Sequence, residues 1–382
     1  MIRFLIFLHL ALLGAQTFAA TPVPQPPPAP AIGARSYLLL DFHSGQTLAQ
    51  QSAAERMEPA SLTKLMTAYL TFAAVREKRI RLDQFLPVST HAWRAVGSRM
   101  FIKPNVPVKV EDLIRGMIVQ SGNDACIALA EGIGGSEDAF VLRMNEQAQK
   151  LGMKNTHFMN VTGLPDPQHY TTAFDLGILA RALIRDFPEN YPYYSQKEFK
   201  YNNISQPNRN RLLWLDPTVD GMKTGHTESA GFCLIASAKR DTRRLISVVL
   251  GTDSESARAA KSQMLLNYGF QYFETHHLYE KDRTVATLPV WKGSQNTLKA
   301  GVGQDVYVSL PKGQYPHLKA VMVSKQPLLA PLSAKDPVGV IKLTVGDQPF
   351  AEYPLEALEN VPVANIFKRG WDSLKLLFKQ NP

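Results

Sequence analysis

Cysteine is scarce in this chain: 382 residues contain two, Cys126 and Cys233. Two thiols exclude a fold scaffolded by several disulfides and a zinc site built from cysteines. Histidine offers no substitute, because His-Glu-x-x-His is absent and the adjacent His276 and His277 are badly spaced to share one ligand face. We therefore expect no metal and no cofactor. The two thiols are expected to be free and buried, although an oxidising compartment leaves a disulfide between them open.

Several other signatures are also absent. The chain has no G-x-x-x-x-G-K-[ST] phosphate loop, no G-x-S-x-G nucleophile elbow and no basic run interleaved with aromatic residues. The formal charge is nevertheless +9, from 42 Lys and Arg against 33 Asp and Glu. We therefore expect no nucleic-acid partner, and the excess positive charge suits an anionic membrane as well as an ordinary basic surface. A composition of 45% hydrophobic and 20% charged residues excludes a disordered chain.

The N-terminal segment predicts export. Arg3 precedes an apolar run from Phe4 to Leu13, and small residues follow up to Ala20. The run is too short to cross a bilayer comfortably, so residues 1–20 are predicted to be a signal peptide. Residues 21–34 are rich in proline, and we expect an extended spacer without a core.

The C-terminal segment, residues 364–382, predicts a helix on a membrane surface. Phe367, Trp371, Leu374 and Phe378 are 4, 3 and 4 residues apart, which puts them on one helical face. Lys and Arg residues occupy much of the opposite side. An aromatic face beside a cationic face is typical of a helix lying on anionic lipid. The alternative is a terminal helix that docks on its own domain.

The order of predicted elements indicates an α+β fold for residues 35–273. A hairpin is predicted at 37–50, helices at 60–78, 111–151 (with breaks near 120–123 and 132–135), 173–187 and 256–273, and strands at 221–226, 231–239 and 243–251. Strands at both ends of a helical middle favour α+β over a βαβ repeat. Short strand patterns between Gly, Pro and Asp turns then predict a separate β-rich domain at 274–363.

Three short motifs carry the chemistry. Ser61 and Lys64 stand three residues apart at the start of a predicted helix, so the amine reaches the hydroxyl and acts as its base. The pattern occurs again at Ser309 and Lys312, which we interpret as a turn because of the adjacent Pro311 and Gly313. Taken alone, Ser61 would more simply be a helix cap.

The second and third motifs follow in order. Ser121-Gly-Asn123 lies between two apolar helices, where a turn projects a hydroxyl and an amide into a cleft, or else simply closes a loop. Lys223-Thr224-Gly225 ends a predicted strand. In one interpretation the lysine and the hydroxyl hold a carboxylate and the glycine leaves room for substrate backbone. In the other, the three residues form an ordinary turn.

In this order and spacing the three motifs resemble those of the penicillin-recognising serine acyl-transferases. The surrounding segments, including 58–68, 120–125, 163–175 and 220–227, resemble the low-molecular-mass D-alanyl-D-alanine carboxypeptidases over nearly the whole chain. The resemblance implies a transpeptidase-like or β-lactamase-like domain, then a small β-rich domain and an amphipathic anchor. It implies removal of the terminal D-alanine from peptidoglycan stem pentapeptides, covalent binding of β-lactam antibiotics, and attachment to the outer face of the inner membrane in the periplasm.

The resemblance also implies residue roles. Ser61 attacks the carbonyl, Lys64 takes its proton, and the backbone N–H groups of Ser61 and His226 form the oxyanion hole. Ser121 relays a proton to the leaving amine, and Asn123 holds the substrate amide and Lys64. The substrate carboxylate is gathered by Lys223, Thr224 and Arg258, with Gly225 beside them, unless Arg258 is merely a solvated helix residue.

Two other functions remain open at this point. A class A β-lactamase needs a deacylating glutamate, and residues 150–200 offer no convincing Glu-x-x-Leu-Asn run, since Glu189 is followed by Asn190 and Tyr191. A non-catalytic wall-binding or membrane-binding module would use the motif residues for packing alone.

Overall fold

A computed structural model describes residues 25–379. The predicted signal peptide and the start of the spacer lie outside the described residues. Of the two cysteines, both are buried and free, which confirms the predicted thiols and excludes the disulfide.

The first part of the chain alternates helices with strands. Its elements are β1 (Ser36–Asp41), β2 (Thr47–Gln51), α1 (Lys64–Arg76), β3 (Phe85–Leu86), α2 (Thr90–Trp93), β4 (Val108–Lys109), α3 (Val110–Arg115), α4 (Asn123–Gly134), α5 (Glu137–Leu151), α6 (Ala173–Asp186), β5 (Glu198–Tyr201), β6 (Ile204–Pro207), α7 (Leu212–Leu215), β7 (Val219–Thr227), β8 (Gly231–Arg240), β9 (Arg243–Thr252) and α8 (Glu255–Tyr272). Single 3-10 turns cover Ala60–Thr63 and Tyr191–Ser195, and a π-helical turn covers Gly116–Gln120.

The second part is mostly strand. Its elements are β10 (Phe273–Tyr279), β11 (Thr284–Trp291), β12 (Thr297–Gly301), β13 (Val306–Pro311), β14 (Leu318–Ser324), β15 (Leu328–Leu329), β16 (Pro337–Val345), β17 (Gln348–Ala357) and α9 (Ile366–Lys379), with a 3-10 turn at Tyr315–His317.

A five-stranded antiparallel sheet organises the first part, in the order β2-β1-β9-β8-β7. Both of its faces are buried, and successive residues of β1 point to opposite sides. Leu38 and Leu40 join a large cluster with α1, α4 and α6, whereas Tyr37 and Leu39 join a cluster with α8. The sheet is therefore covered by helices on both sides, and β7 is left at its edge.

Part of the spacer prediction is wrong. Ile32 and Ala34 are buried in the cluster on the α8 side of the sheet. Two side chains of α8 also bind this segment, since Tyr268 Oη donates to Pro27 O at 2.8 Å and Lys261 Nζ to Gly33 O at 2.7 Å. The proline content predicted an extended segment, but the two apolar side chains at its end bury surface against the helix.

The β-rich part has its own core. A six-stranded sheet in the order β14-β16-β17-β12-β11-β15 and the pair β10-β13 enclose a cluster that includes Leu298, Val308, Ile341 and Leu355. Here Ser309 lies within β13 and pairs with Thr275, so the predicted turn begins only after Pro311. Ser309 is buried and its hydroxyl meets that of Ser44 at 2.8 Å. This second S-x-x-K motif therefore contributes to the junction between the two parts.

The last helix, α9, projects its apolar side outward. Phe367, Trp371 and Phe378 are 86%, 58% and 76% exposed. Within residues 25–379, no helix is both long and apolar enough to cross a bilayer.

Candidate active site

The three motifs meet in one cleft beside the sheet edge β7. The cleft has a volume of about 310 Å³. Its lining includes seven of the predicted residues, namely Ser61, Ser121, Asn123, Thr224, Gly225, His226 and Arg258. The two remaining predicted residues, Lys64 and Lys223, are 1% and 3% exposed. The structure thus brings together residues that are far apart in sequence.

Ser61 lines the cleft, and the buried Lys64 contacts Ser61 from behind. Ser61 lies in the 3-10 turn Ala60–Thr63, and Lys64 begins α1, so the predicted continuous helix is replaced by a tighter first turn. Lys64 Nζ is 2.9 Å from Ser61 Oγ and donates to Thr162 O at 2.6 Å. Burial lowers the pKa of Lys64 to about 8, and the positive charge of Arg209 acts in the same direction. A hydroxyl and a readily neutralised amine are therefore in direct contact.

The turn that carries Ser61 is held from two sides. Gly163 has φ +87 and packs so closely that a Cβ at this position would overlap Ala60 O. On β7, a Cβ at Gly225 would lie 3.1 Å from Pro59 O. Thr63 Oγ1 also meets His169 Nε2 at 2.9 Å, and burial lowers the pKa of His169 to about 4, so this imidazole is neutral. Both glycines are needed because neighbouring backbone lies against the turn that carries Ser61.

Ser121 and Asn123 also line the cleft. Ser121 ends the π-helical turn with φ +67, and its buried Oγ has no hydrogen-bond partner among residues 25–379. Asn123 starts α4, and its side-chain nitrogen donates to Val96 O at 2.6 Å. The hydrogen bonds of Lys64 Nζ go to Ser61 and Thr162, so a direct Asn123–Lys64 bond is not among the contacts of the described residues.

The Lys223-Thr224-Gly225 motif lies on β7, as predicted, at the edge of the sheet. Lys223 Nζ donates to Thr224 O at 3.1 Å. Burial holds the pKa of Lys223 well below its usual value, and the positive charges of Lys64 and Arg209 lower it further. An anion bound in the cleft would relieve this repulsion.

Arg258 reaches the same end of the cleft from α8. It is 3% exposed, and its guanidinium donates to Gly225 O at 3.4 Å and to Glu255 Oε1 at 3.1 Å. His226 is exposed and stacks on Phe232 with ring centroids 4.0 Å apart. A buried guanidinium bonded to the Gly225 carbonyl does not fit the alternative of a solvated helix residue.

Two residues outside the predicted set contribute to the cleft, one by lining it and one by holding a neighbouring segment. Arg209 lines the cleft and donates to Ser98 Oγ at 2.6 Å, but it lies in a loop between β6 and α7 without any recognisable motif. Asp124 is 1% exposed and accepts from the backbone N–H groups of Met100, Phe101 and Ile102 at 2.9, 2.9 and 3.2 Å. The one sequence feature that could have indicated Asp124 was its position directly after Asn123.

This arrangement suits acyl transfer through a serine. It offers a nucleophilic hydroxyl, a buried amine in contact with it, and a cationic end that accepts a carboxylate. Within residues 25–379, no three His, Cys, Asp or Glu side chains are grouped so that they could hold a metal ion.

Comparison with known proteins supports this chemistry. Residues 22–254 match the peptidase S11 family, described as D-alanyl-D-alanine carboxypeptidase, and residues 273–363 match the C-terminal domain of penicillin-binding protein 5. The D-alanyl-D-alanine carboxypeptidase DacC of Escherichia coli is 44% identical over 361 residues, covering 92% of this chain and 90% of the relative.

Solved structures agree with these matches. The crystal structure of penicillin-binding protein 5 from Haemophilus influenzae has a TM-score of 0.84 at 39% identity, covering 90% of this chain and all of the other. Penicillin-binding protein D2 of Listeria monocytogenes, solved in its ampicillin-bound form, has a TM-score of 0.59 at 31% identity, covering 64% of this chain and 99% of the other. On this combination of fold, cleft and similarity, the chain belongs to the D-alanyl-D-alanine carboxypeptidase family of penicillin-binding proteins.

Proposed function

We propose that this protein removes the terminal D-alanine from peptidoglycan stem pentapeptides through an acyl-enzyme on Ser61, and that β-lactams acylate the same serine. The observation that carries the proposal is the 2.9 Å contact between Lys64 Nζ and Ser61 Oγ. With a pKa of about 8, roughly one Lys64 amine in ten is neutral at pH 7 and free to accept a proton.

Acylation follows from this contact. Ser61 Oγ attacks the carbonyl carbon of the penultimate D-alanine while Lys64 takes the hydroxyl proton. The backbone N–H groups of Ser61 and His226 stabilise the oxyanion. When the C–N bond breaks, Ser121 passes a proton to the leaving amine, and D-alanine departs. Water then hydrolyses the ester and restores Ser61.

The cationic end of the cleft selects the substrate. Lys223, Thr224 and Arg258 bind the C-terminal carboxylate, and Gly225 leaves room for the substrate backbone along β7. Asn123 holds the amide of the penultimate residue. We expect activity to require a free C-terminal carboxylate on the peptide, because these groups are the ones assigned to bind it.

Intact-mass spectrometry after benzylpenicillin tests the nucleophile. The native protein is expected to gain the mass of one penicilloyl group, and Ser61→Ala none, with loss of D-alanine release and an unchanged circular dichroism spectrum. Ser309→Ala is the matched control, because it alters the second S-x-x-K and should keep the adduct. An adduct retained in Ser61→Ala would refute the assignment.

A β-lactamase is distinguished by acyl-enzyme lifetime. Glu189, the acidic candidate in the region where class A enzymes keep their deacylating glutamate, is exposed and does not line the cleft. We expect a long-lived penicilloyl adduct with persistent mass. Release within a second would favour the lactamase activity.

We also propose that the protein is exported by residues 1–20 and attached to the outer face of the inner membrane through residues 364–382. The division into catalytic domain 35–273 and β-rich domain 274–363 stays a prediction, and so do the bounds 21–34 of the spacer, whose last residues pack against α8. The exposed aromatic side of α9 supports the attachment, since Ile366, Phe367 and Phe378 are at least 69% exposed and need an apolar environment.

A further inference from the structure

The acidic residue of the C-terminal helix faces the protein. Asp372 is the single acidic residue between Ile366 and Lys379. It is 8% exposed, and its Oδ2 accepts from the backbone N–H of Lys292 at 2.7 Å. Aspartate is unfavourable in the middle of a helix. Its presence at position 372 is therefore explained by a contact outside the helix.

The receiving group is suited to this contact. Lys292 follows the end of β11 and has φ +60, which turns its N–H away from the strand ladder. Its carbonyl accepts from Ala364 N at 2.8 Å, and Ser294 N donates to Pro362 O at 2.8 Å. The turn at Lys292 therefore holds both the chain that enters α9 and a side chain of α9.

Two attachments set the direction of the helix. The first is the paired segment before Ile366, and the second is Asp372, about 9 Å further along the axis. Leu376, one turn beyond Asp372, is half-buried on the same side. One attachment would leave the helix free to swing, whereas two attachments fix its axis relative to the β-rich part.

The side opposite Asp372 is the apolar one. At 100° per residue, Asp372 lies about 160° from Leu374 around the helix. The outward surface carries Phe367, Trp371 and Phe378, while Lys368, Arg369 and Lys375 lie about 40–60° around the helix from Asp372, at the borders of the apolar face. Cations around an apolar face complement an anionic phospholipid surface.

We propose that Asp372 is an orientation clamp: by binding the Lys292 N–H it holds the apolar face of α9 outward, so that the anionic bilayer positions the whole enzyme at one fixed angle. This inference rests on the membrane attachment proposed above. In this arrangement α9 is held rigidly, and the hydrogen bond on its polar side determines which side faces the lipid.

The clamp itself is tested in solution on the full-length mature chain. Asp372→Ala removes the acceptor but improves helix propensity, so the helix persists. We expect the Lys292 amide to exchange at least about fivefold faster with deuterium in this variant, in line with loss of one hydrogen bond. Asp372→Asn, which keeps an acceptor oxygen, should restore slow exchange in part, and Ser373→Ala is the neighbouring control without effect.

Spin labels measure the resulting freedom. Cysteines placed at the exposed positions Lys319 and Lys375 report the distance between β14 and α9, because native Cys126 and Cys233 are buried and do not label. The distance distribution should be narrow in the native background and roughly twofold broader with Asp372→Ala. Unchanged exchange and an unchanged distribution would overturn the clamp.

Vesicles test the consequence. All variants should float with phosphatidylethanolamine–phosphatidylglycerol vesicles and hydrolyse a soluble pentapeptide equally, while Asp372→Ala loses activity on a pentapeptide anchored to the same vesicles by a lipid. Equal activity on the anchored peptide would overturn the orienting role. Failure of the native protein to float would refute membrane attachment and the orienting role together, whereas loss of soluble-peptide hydrolysis would count against the carboxypeptidase mechanism alone.

Discussion

At the residue scale, we expect the protonation of Lys64 to set the pH dependence of acylation. Its pKa is lowered to about 8 and the base must be neutral, so the acylation rate should rise through pH 8 and fall about tenfold per pH unit below it. Stopped-flow acylation by benzylpenicillin over a range of pH measures this limb.

Arg209 provides the matched variant for this profile. Its positive charge lowers the pKa of Lys64, so Arg209→Gln should move the rising limb to higher pH. Arg211→Gln, in the same loop, is the control that should leave it in place. If the rising limb stayed at the native pH in Arg209→Gln, the charge of Arg209 would have no effect on the pKa of Lys64.

A second prediction at this scale concerns the binding of the substrate carboxylate by Arg258. Arg258→Ala should weaken kcat/KM for peptides with a free terminal carboxylate by about tenfold or more, as expected for loss of a charge-assisted hydrogen bond of about 1.5–3 kcal/mol. Small esters without that carboxylate should be attacked at nearly the native rate. Equal losses on the two substrates would show that Arg258 only supports the Gly225 carbonyl and the fold.

At the scale of elements, the segment 96–102 depends on Asp124. The carboxylate satisfies three successive N–H groups, including that of Phe101 with φ +68, and Asn123 N bonds Ser98 O at 2.7 Å. Asp124→Ala should lower the free energy of unfolding by about 2–4 kcal/mol and slow acylation, because buried donors lose their acceptor and this wall of the cleft loosens.

Urea denaturation and acylation rates, measured together, check the Asp124 prediction. Asp138→Asn, an exposed acidic position on α5, is the control and should change neither quantity. Native stability in Asp124→Ala would show that the segment is held mainly by its bonds from Asn202 and Gln206 on the β5–β6 hairpin.

Most helices and strands could be predicted from the sequence, because hydrophobic periodicity and turn-forming residues depend on only a few neighbouring positions. The hairpin, the helix α6, and the strands β7, β8 and β9 all lie close to their predicted positions. In the β-rich part, short strand patterns at 285–290, 305–310, 318–323 and 338–345 predicted β11, β13, β14 and β16. They did not predict β17, where Pro349 and Pro354 normally argue against a strand. The packing of Ile32 and the role of Arg209 depend on contacts distant in sequence, which no local pattern encodes.

At the scale of the whole molecule, a polar junction fixes the β-rich part to the sheet. Thr275 Oγ1 donates to the buried Asp41 carboxylate at 2.6 Å, and Ser309 N donates to Gln46 Oε1 at 2.6 Å. The Tyr307 ring stacks on His277 with centroids 4.4 Å apart and packs at a tilt against His43 with centroids 4.9 Å apart. These direct bonds join hairpin β1–β2 to strands β10 and β13, so the β-rich part that carries α9 is fixed to the sheet beside the cleft.

The last prediction concerns this attachment. Deleting residues 364–382 should release the protein from the membrane fraction while activity on short peptides stays unchanged, because the cleft is built by β7, α1, α4 and α8. Replacing Phe367, Trp371 and Phe378 with serine should weaken binding to anionic vesicles about a hundredfold, since each aromatic loses about 1 kcal/mol of apolar burial.

The matched control replaces Val321, Met322 and Val323 with serine. These side chains of β14 are also exposed, but they lie on an edge strand of the sheet and not on the cationic helix. The control should stay bound, because binding requires the combination of apolar and cationic side chains on α9. Sedimentation of the truncated protein with membranes would show that another surface attaches the protein. The Asp372 hydrogen bond would then not determine how the enzyme is oriented on the membrane.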